Sequence, residues 1–243
     1  MDQPYSDYLD AESALVHRFR GHDTRDWEEW ASFATTSGAE VPLDAERAWV
    51  TRERSSHRGI GDRQALRHLV AGAADQAFLD EICALTGLER LELEYPVTAR
   101  SLDGLRALTR LRHLSIDSPR NVTDFTPVLD LPELRTLLIT NAKHLTDLGW
   151  LAGATHLEVL GIEGSIWTAQ RIPSLAPLAG LTGLRAFFAV SARLADRTLT
   201  PLAECPRLEL LSCARMAPRE EFERLHARRP DLVCTWVRRE AWT

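Results

Sequence analysis

The chain has 243 residues, 44% apolar and 26% charged, a globular make-up that excludes wholesale disorder. Its formal net charge of -6, with the acid excess in the first 65 residues, lacks the basic footprint of a nucleic-acid or anionic-membrane binder, so neither partner is expected. No run of about 18 apolar residues occurs, and Met1-Asp2-Gln3-Pro4 does not open a basic-then-apolar leader, so the expectation is a cytoplasmic protein. Lys143 is the only lysine, a bias that fits a GC-rich bacterial coding sequence. Cys83, Cys205, Cys213 and Cys234 form no CxxC pair and read as small packing hydrophobes.

Residues 1–62 predict three helices and together a helical N-terminal cap. The first, about Ser6–Arg20, gathers Tyr8, Leu9, Ala14, Leu15 and Phe19 towards one side. The second, about Thr24–Ala34, is capped by Asp23 or Thr24 and spaces Trp27, Trp30 and Phe33 at i, i+3 and i+6. The third, about Leu43–Arg54, follows the stop signal Gly38 and offers Leu43, Ala48 and Trp49. The tryptophans are expected to close an open solenoid end; a separate partner-binding helical module is the alternative.

From residue 63 onwards an LxxLxL-like triplet recurs. It stands at Leu66/Leu69/Ala71, Leu88/Leu91/Leu93, Leu111/Leu114/Ile116 and Leu134/Leu137/Ile139. It continues at Leu157/Leu160/Ile162, Leu184/Phe187/Ala189 and Leu208/Leu211/Cys213, with a degenerate copy from Leu232 that keeps Val237. Successive first leucines are 22, 23, 23, 23, 27, 24 and 24 positions apart. Between triplets run apolar residues spaced by three, such as Val122, Phe125, Val128 and Leu131, a period that suits a 3₁₀ or tight helical turn. Each unit therefore reads as a short strand, a turn and a return segment. Since no unit covers its own apolar face, the units must stack into a shared core.

The phrases Val122-Thr-Asp-Phe-Thr-Pro-Val-Leu-Asp-Leu and Ser174-Leu-Ala-Pro-Leu-Ala-Gly-Leu-Thr-Gly-Leu resemble the leucine-rich-repeat superfamily, in its short bacterial internalin-type form. The resemblance covers roughly residues 63–243. It implies an α/β repeat solenoid of about eight coils, the last a C-terminal cap built on Phe222, Leu225, Leu232, Trp236 and Val237. Its strands would form a parallel concave sheet, with 3₁₀ or short helices on the convex side and a small α-helical N-terminal cap. For function it implies a curved surface that binds other proteins. The family's asparagine, eight positions after the first leucine, is replaced by Pro96, Pro119, Ala142 and Ser165, so the usual amide ladder is missing.

Alternation along the strands assigns the concave face. Its offset-two column is His68, Arg90, His113, Thr136, Val159, Ala186 and Leu210. The next column includes Val70, Glu92, Ser115, Leu138, Gly161, Phe188, Ser212 and Trp236, and the last includes Gly72, Glu94, Asp117, Thr140, Glu163, Val190, Ala214 and Arg238. The first half of the face is thus charged and the second largely apolar. Glu94 and Asp117 should start about 5 Å apart, with Glu92 roughly 7 Å along the strand. His68, Arg90 and His113 can compensate Glu92 diagonally but lie far from the other two carboxylates. This cluster reads as a solvated acidic surface, as a site for a basic peptide, or as an acid/base or metal site. The apolar half, Leu138, Val159, Phe188, Val190 and Leu210, is either an interface or buried under a loop. The four-residue excess near Gly164–Arg171, carrying Trp167 and Arg171, is the candidate loop.

No P-loop, GxGxxG entry, HExxH pair or GxSxG elbow is present. Asn121-Val122-Thr123 matches a glycosylation sequon but reads as a turn, and the Arg-rich tail alternates with glutamates as a solvated face. The expected function is a cytoplasmic bacterial interaction scaffold for a protein or peptide carrying basic and apolar groups, without cofactor or metal. Its expected contacts are Arg90, Glu92, Glu94, His113, Asp117, Leu138, Glu163, Trp167 and Phe188. The alternative is an enzyme, or an accessory of a tailoring or biosynthetic enzyme, working through Glu92, Glu94, Asp117 and His113. A third is self-association through the apolar patch; the oligomeric state stays open.

Overall fold

A computed structural model describes residues 4–21 and 27–242, the side chains of residues 27 and 28 excepted. The cap expected at Asp23 or Thr24 and the side chain of Trp27 lie outside the described residues. Two compact units result, one of Arg25–Leu145 and one of Met1–Thr24 with Thr146–Thr243. The first helix, α1 (Tyr5–Arg20), falls close to its expected span and ends at Gly21 in the left-handed region, φ 67°.

In the unit of residues 25–145, α2 (Trp27–Ala31) leads into β1 (Ala34–Thr35) and β2 (Arg47–Thr51). These are followed by β3 (His68–Gly72), α3 (Gln76–Ile82), β4 (Arg90–Glu94), β5 (His113–Asp117) and β6 (Thr136–Thr140). All six strands pair in parallel and in chain order. Register aligns Ala48, Leu69, Leu91, Leu114 and Leu137 in one interior row, and Val50, Ala71, Leu93, Ile116 and Ile139 in a second. All ten are buried. Return segments fold as 3₁₀ turns at Asp103–Ala107 and Thr126–Asp130, burying Leu105 and Val128 as the three-residue spacing requires. Helix α3 replaces one such turn; Asp75 caps it by accepting the Phe78 N–H at 3.0 Å.

The helix expected over Leu43–Arg54 is instead strand β2. Ala48 and Val50 face the interior while Arg47 and Thr51 face out, the period-two pattern of a repeat strand, and Trp49-Val50-Thr51 is a β-favouring run. The parallel sheet therefore starts upstream of residue 63. The work of the missing asparagines is spread over other side chains. Asn141 Nδ2 donates to Ser118 Oγ (2.9 Å), which donates to Asp117 Oδ1 (2.8 Å). Gln76 Oε1 accepts the N–H groups of Arg100 and Ser101, and Asn121 Nδ2 donates to the Thr98 carbonyl.

In the other unit, β7 (Val159–Glu163), β9 (Ala186–Ala189) and β11 (Leu210–Cys213) continue the pattern in parallel, aligning Leu160, Phe187 and Leu211. Short strands β8 (Gln170–Ile172) and β10 (Ala192–Leu194) pair with each other. Helix α4 (Arg219–Arg228) buries Phe222 and Leu225. The repeat copy expected from Leu232 forms no strand: Thr235–Val237 is a 3₁₀ turn and only Val233 bridges to Leu210. Trp236 turns instead to pack against Phe222 and Trp242 and donates its Nε1–H to the Cys213 carbonyl at 2.7 Å. Phe222, Trp236 and Trp242 thus form an aromatic cluster beyond β11. Burial pushes the Cys83 thiol up to about 12 and that of Cys205 to about 11, so both pack as neutral thiols.

Glu221, in the first turn of α4, accepts from Leu199 N–H (2.8 Å) and Thr198 Oγ1 (3.0 Å) and pairs with Arg224. Burial alone would raise its carboxyl, but these donors outweigh it and hold the group below its ordinary 4.5. With the folded value below the unfolded one, its stabilisation is complete above about pH 4.5 and drains away as the pH falls through the folded value. Glu221→Gln is expected to cost about 1–3 kcal/mol near neutral pH and to make the acid limb shallower, measured by urea unfolding from about pH 7 to about pH 3.

Candidate partner-binding surface

Outward-facing positions of β3, β4 and β5 carry the charged residues singled out in the sequence. Glu92 is buried, 6% exposed, and its Oε1 lies 2.9 Å from both His68 Nε2 and Arg90 Nε. His68 and Arg90 are two of the three residues, with His113, expected to compensate Glu92. Buried Trp30 lies over the His68 ring, centroids 4.4 Å apart. Arg90 and His68 thus both contact Glu92, and His113, in register with Arg90, is buried as well.

Glu94 and Asp117 stand at the other ends of β4 and β5, one step beyond the paired Leu93 and Ile116, and both are partly exposed. Beside them Tyr95 is 57% exposed and accepts a 2.6 Å hydrogen bond from Arg120 Nη2, whose guanidinium also lies 5.2 Å from the ring centroid. The sequence reading missed this pair. Its only signal was an aromatic residue directly after Glu94 at a strand end. Among the described residues no group of three His, Cys, Asp or Glu is placed to hold a metal ion.

The apolar positions expected as an interface are closed. Leu138, Val159, Phe188 and Leu210 are buried; Val190 alone of the five is substantially exposed. In the unit containing β7, β9 and β11 the cover is α1, not the loop after β7. Arg20 donates to Glu163 Oε1 at 2.6 Å, with Glu163 only 5% exposed, and its guanidinium lies 4.3 Å from the Phe188 ring centroid. Buried Phe19 has Arg185 at 5.3 Å, Arg18 pairs with Glu209, and Tyr8 Oη donates to the Cys234 carbonyl while accepting its N–H. Glu163 and Phe188 therefore face the chain's own helix. Trp167 stands in solvent.

No protein-family model matches the sequence, and no curated protein matches it significantly. Among solved structures the chain is similar to internalin C2 of Listeria monocytogenes, 24% identical, covering 72% of this chain and 73% of that one with a TM-score of 0.50. It is similar to a leucine-rich-repeat protein of Leptospira interrogans, 17% identical, covering 82% of this chain and 57% of that one, TM-score 0.53. A second Listeria internalin is 22% identical over 71% of this chain, TM-score 0.49, and the chain spans 55% of its length. The likeness fixes the fold: a leucine-rich-repeat solenoid of parallel strands, short 3₁₀ turns and an N-terminal helix.

Proposed function

We propose that this leucine-rich-repeat chain is a bacterial, cytoplasmic scaffold that binds a basic segment of a protein or peptide. Strands β4 and β5 receive that segment through Glu94 and Asp117, and Tyr95 supplies apolar contact beside them. The observation that carries the reading is two partly exposed carboxylates at the ends of neighbouring strands, Glu94 and Asp117, each one step beyond the paired Leu93 and Ile116. Two acids on adjacent strand ends attract a cationic side chain of a partner. The four cysteines are all free thiols, in keeping with a reducing compartment, and the arginine bias supports a bacterial source.

A peptide array of Lys/Arg-rich segments with and without a neighbouring aliphatic residue tests this. The wild-type chain should retain basic peptides, less as salt rises from about 50 to about 300 mM. Changing Glu94→Lys and Asp117→Lys together should weaken them at least about tenfold, because like charges then meet. Retention unchanged by that double substitution refutes the assignment.

A further inference from the structure

The repeat that begins at Leu157 is 27 residues long against 22 to 24 for the others, and its extra residues lie between β7 and β8. They are held at their base. Gly164 N–H donates to the Val190 carbonyl at 3.0 Å, Ser165 N–H to the Thr168 carbonyl at 2.8 Å, and the N–H groups of Trp167 and Thr168 to Ser165 Oγ at 3.2 and 3.0 Å. A Cβ at position 164 would sit 2.2 Å from the Ser191 carbonyl oxygen and 2.5 Å from that of Thr168, so the loop closes on this turn only with glycine there. From this anchored turn Ile166 and Trp167 project, 87% and 88% exposed, with partly exposed Val190 at the base.

Arg171 follows Trp167 by four residues, at most about 14 Å of extended chain. It lies directly opposite Arg193 in the β8–β10 register, both side chains exposed. Residues opposite one another on paired strands share a face with Cβ atoms about 5 Å apart, and like charges there repel. Among the described residues neither guanidinium has a carboxylate partner. An exposed tryptophan and isoleucine on a loop that runs directly into the strand bearing one of two arginines without a carboxylate partner are residue types of a binding hot spot, with the counter-charge left to the partner.

We propose that the β7–β8 loop and the Arg171–Arg193 pair form a docking surface for an acidic peptide segment of a protein partner, carrying an aromatic or aliphatic anchor for Trp167 and Ile166. A carboxylate lying between the two guanidiniums removes their repulsion, and the anchor desolvates the indole. A net charge of -6 favours a peptide over an anionic membrane surface. The surface is opposite in charge to that of Glu94 and Asp117 and stands independently of it.

The test is a random 12-residue peptide library displayed on phage and selected on the full chain. Enriched binders should carry Asp or Glu within a few residues of Trp, Phe, Leu or Ile. Their affinity should fall at least tenfold with Trp167→Ser and with Arg171→Glu plus Arg193→Glu, and should not change with Glu94→Lys plus Asp117→Lys. Trp167, Arg171 and Arg193 are solvent-exposed, and circular dichroism checks that every variant keeps its fold. Enrichment of basic or uncharged sequences, or acidic binders indifferent to Trp167→Ser, overturns the proposal. So does Trp167-dependent sedimentation of the chain with phosphatidylserine/phosphatidylcholine vesicles when no acidic peptide is selected.

Discussion

Phe187→Ala is expected to lower the free energy of unfolding by about 3–5 kcal/mol, a large share of the stability of an ordinary domain. Phe187 is fully buried in β9, with Leu160 of β7 on one side of it in register and Leu211 of β11 on the other. A repeat core is built of rows of side chains passed from coil to coil, so a void in one coil loosens its contact with both neighbours. Phe187→Leu, which leaves most of the volume filled, should cost much less, about 1–1.5 kcal/mol. Urea unfolding of the two variants measures the difference. A loss below about 1 kcal/mol for the alanine variant would show that β9 does not line the interior.

Arg20→Ala is expected to cost up to about 3 kcal/mol, because it leaves the Glu163 carboxylate buried without its cation. The penalty has a ceiling: once it exceeds the free energy that docks α1, the helix lifts and water reaches Glu163. Lifting also uncovers Phe188, over which the guanidinium now lies. The first consequence should therefore be faster hydrogen exchange across Tyr5–Arg20 and new cleavage near its end, ahead of global unfolding. Arg20→Lys keeps the charge but loses the planar stack, so it should fall between wild type and alanine. Unchanged exchange in α1 after Arg20→Ala would mean that the ion pair does not hold the helix down.

Legibility from sequence followed the range of the interactions. Leu91, Leu114 and Leu137 were placed in one interior row from spacing alone, and the register confirms it. The neighbouring places of Glu94 and Asp117 came from the same count, as did the compensation of Glu92 by His68 and Arg90. Strand β2 was misread as a helix because its coil lacks the leucines: Ala48 and Val50 fill the slots, and a sparse apolar pattern over so few residues fits either period. Tyr95 was missed because it lies just past the strand, where alternation no longer assigns a direction.

The period of about two dozen residues by itself determined the parallel stacking, the 3₁₀ return turns and the columns of outward-facing strand positions. Each coil's apolar row can be buried only by the coils beside it, so that arrangement is written into every repeat. Only the tertiary structure decided which parts of the face remain open. Arg20 meets Glu163 across 143 residues and Tyr8 meets Cys234 across 226, and contacts of that separation leave no local pattern to read. The same holds for the loop at Trp167: its extra length was countable, but its projection into solvent depends on Gly164 closing against the Ser191 carbonyl of the next coil.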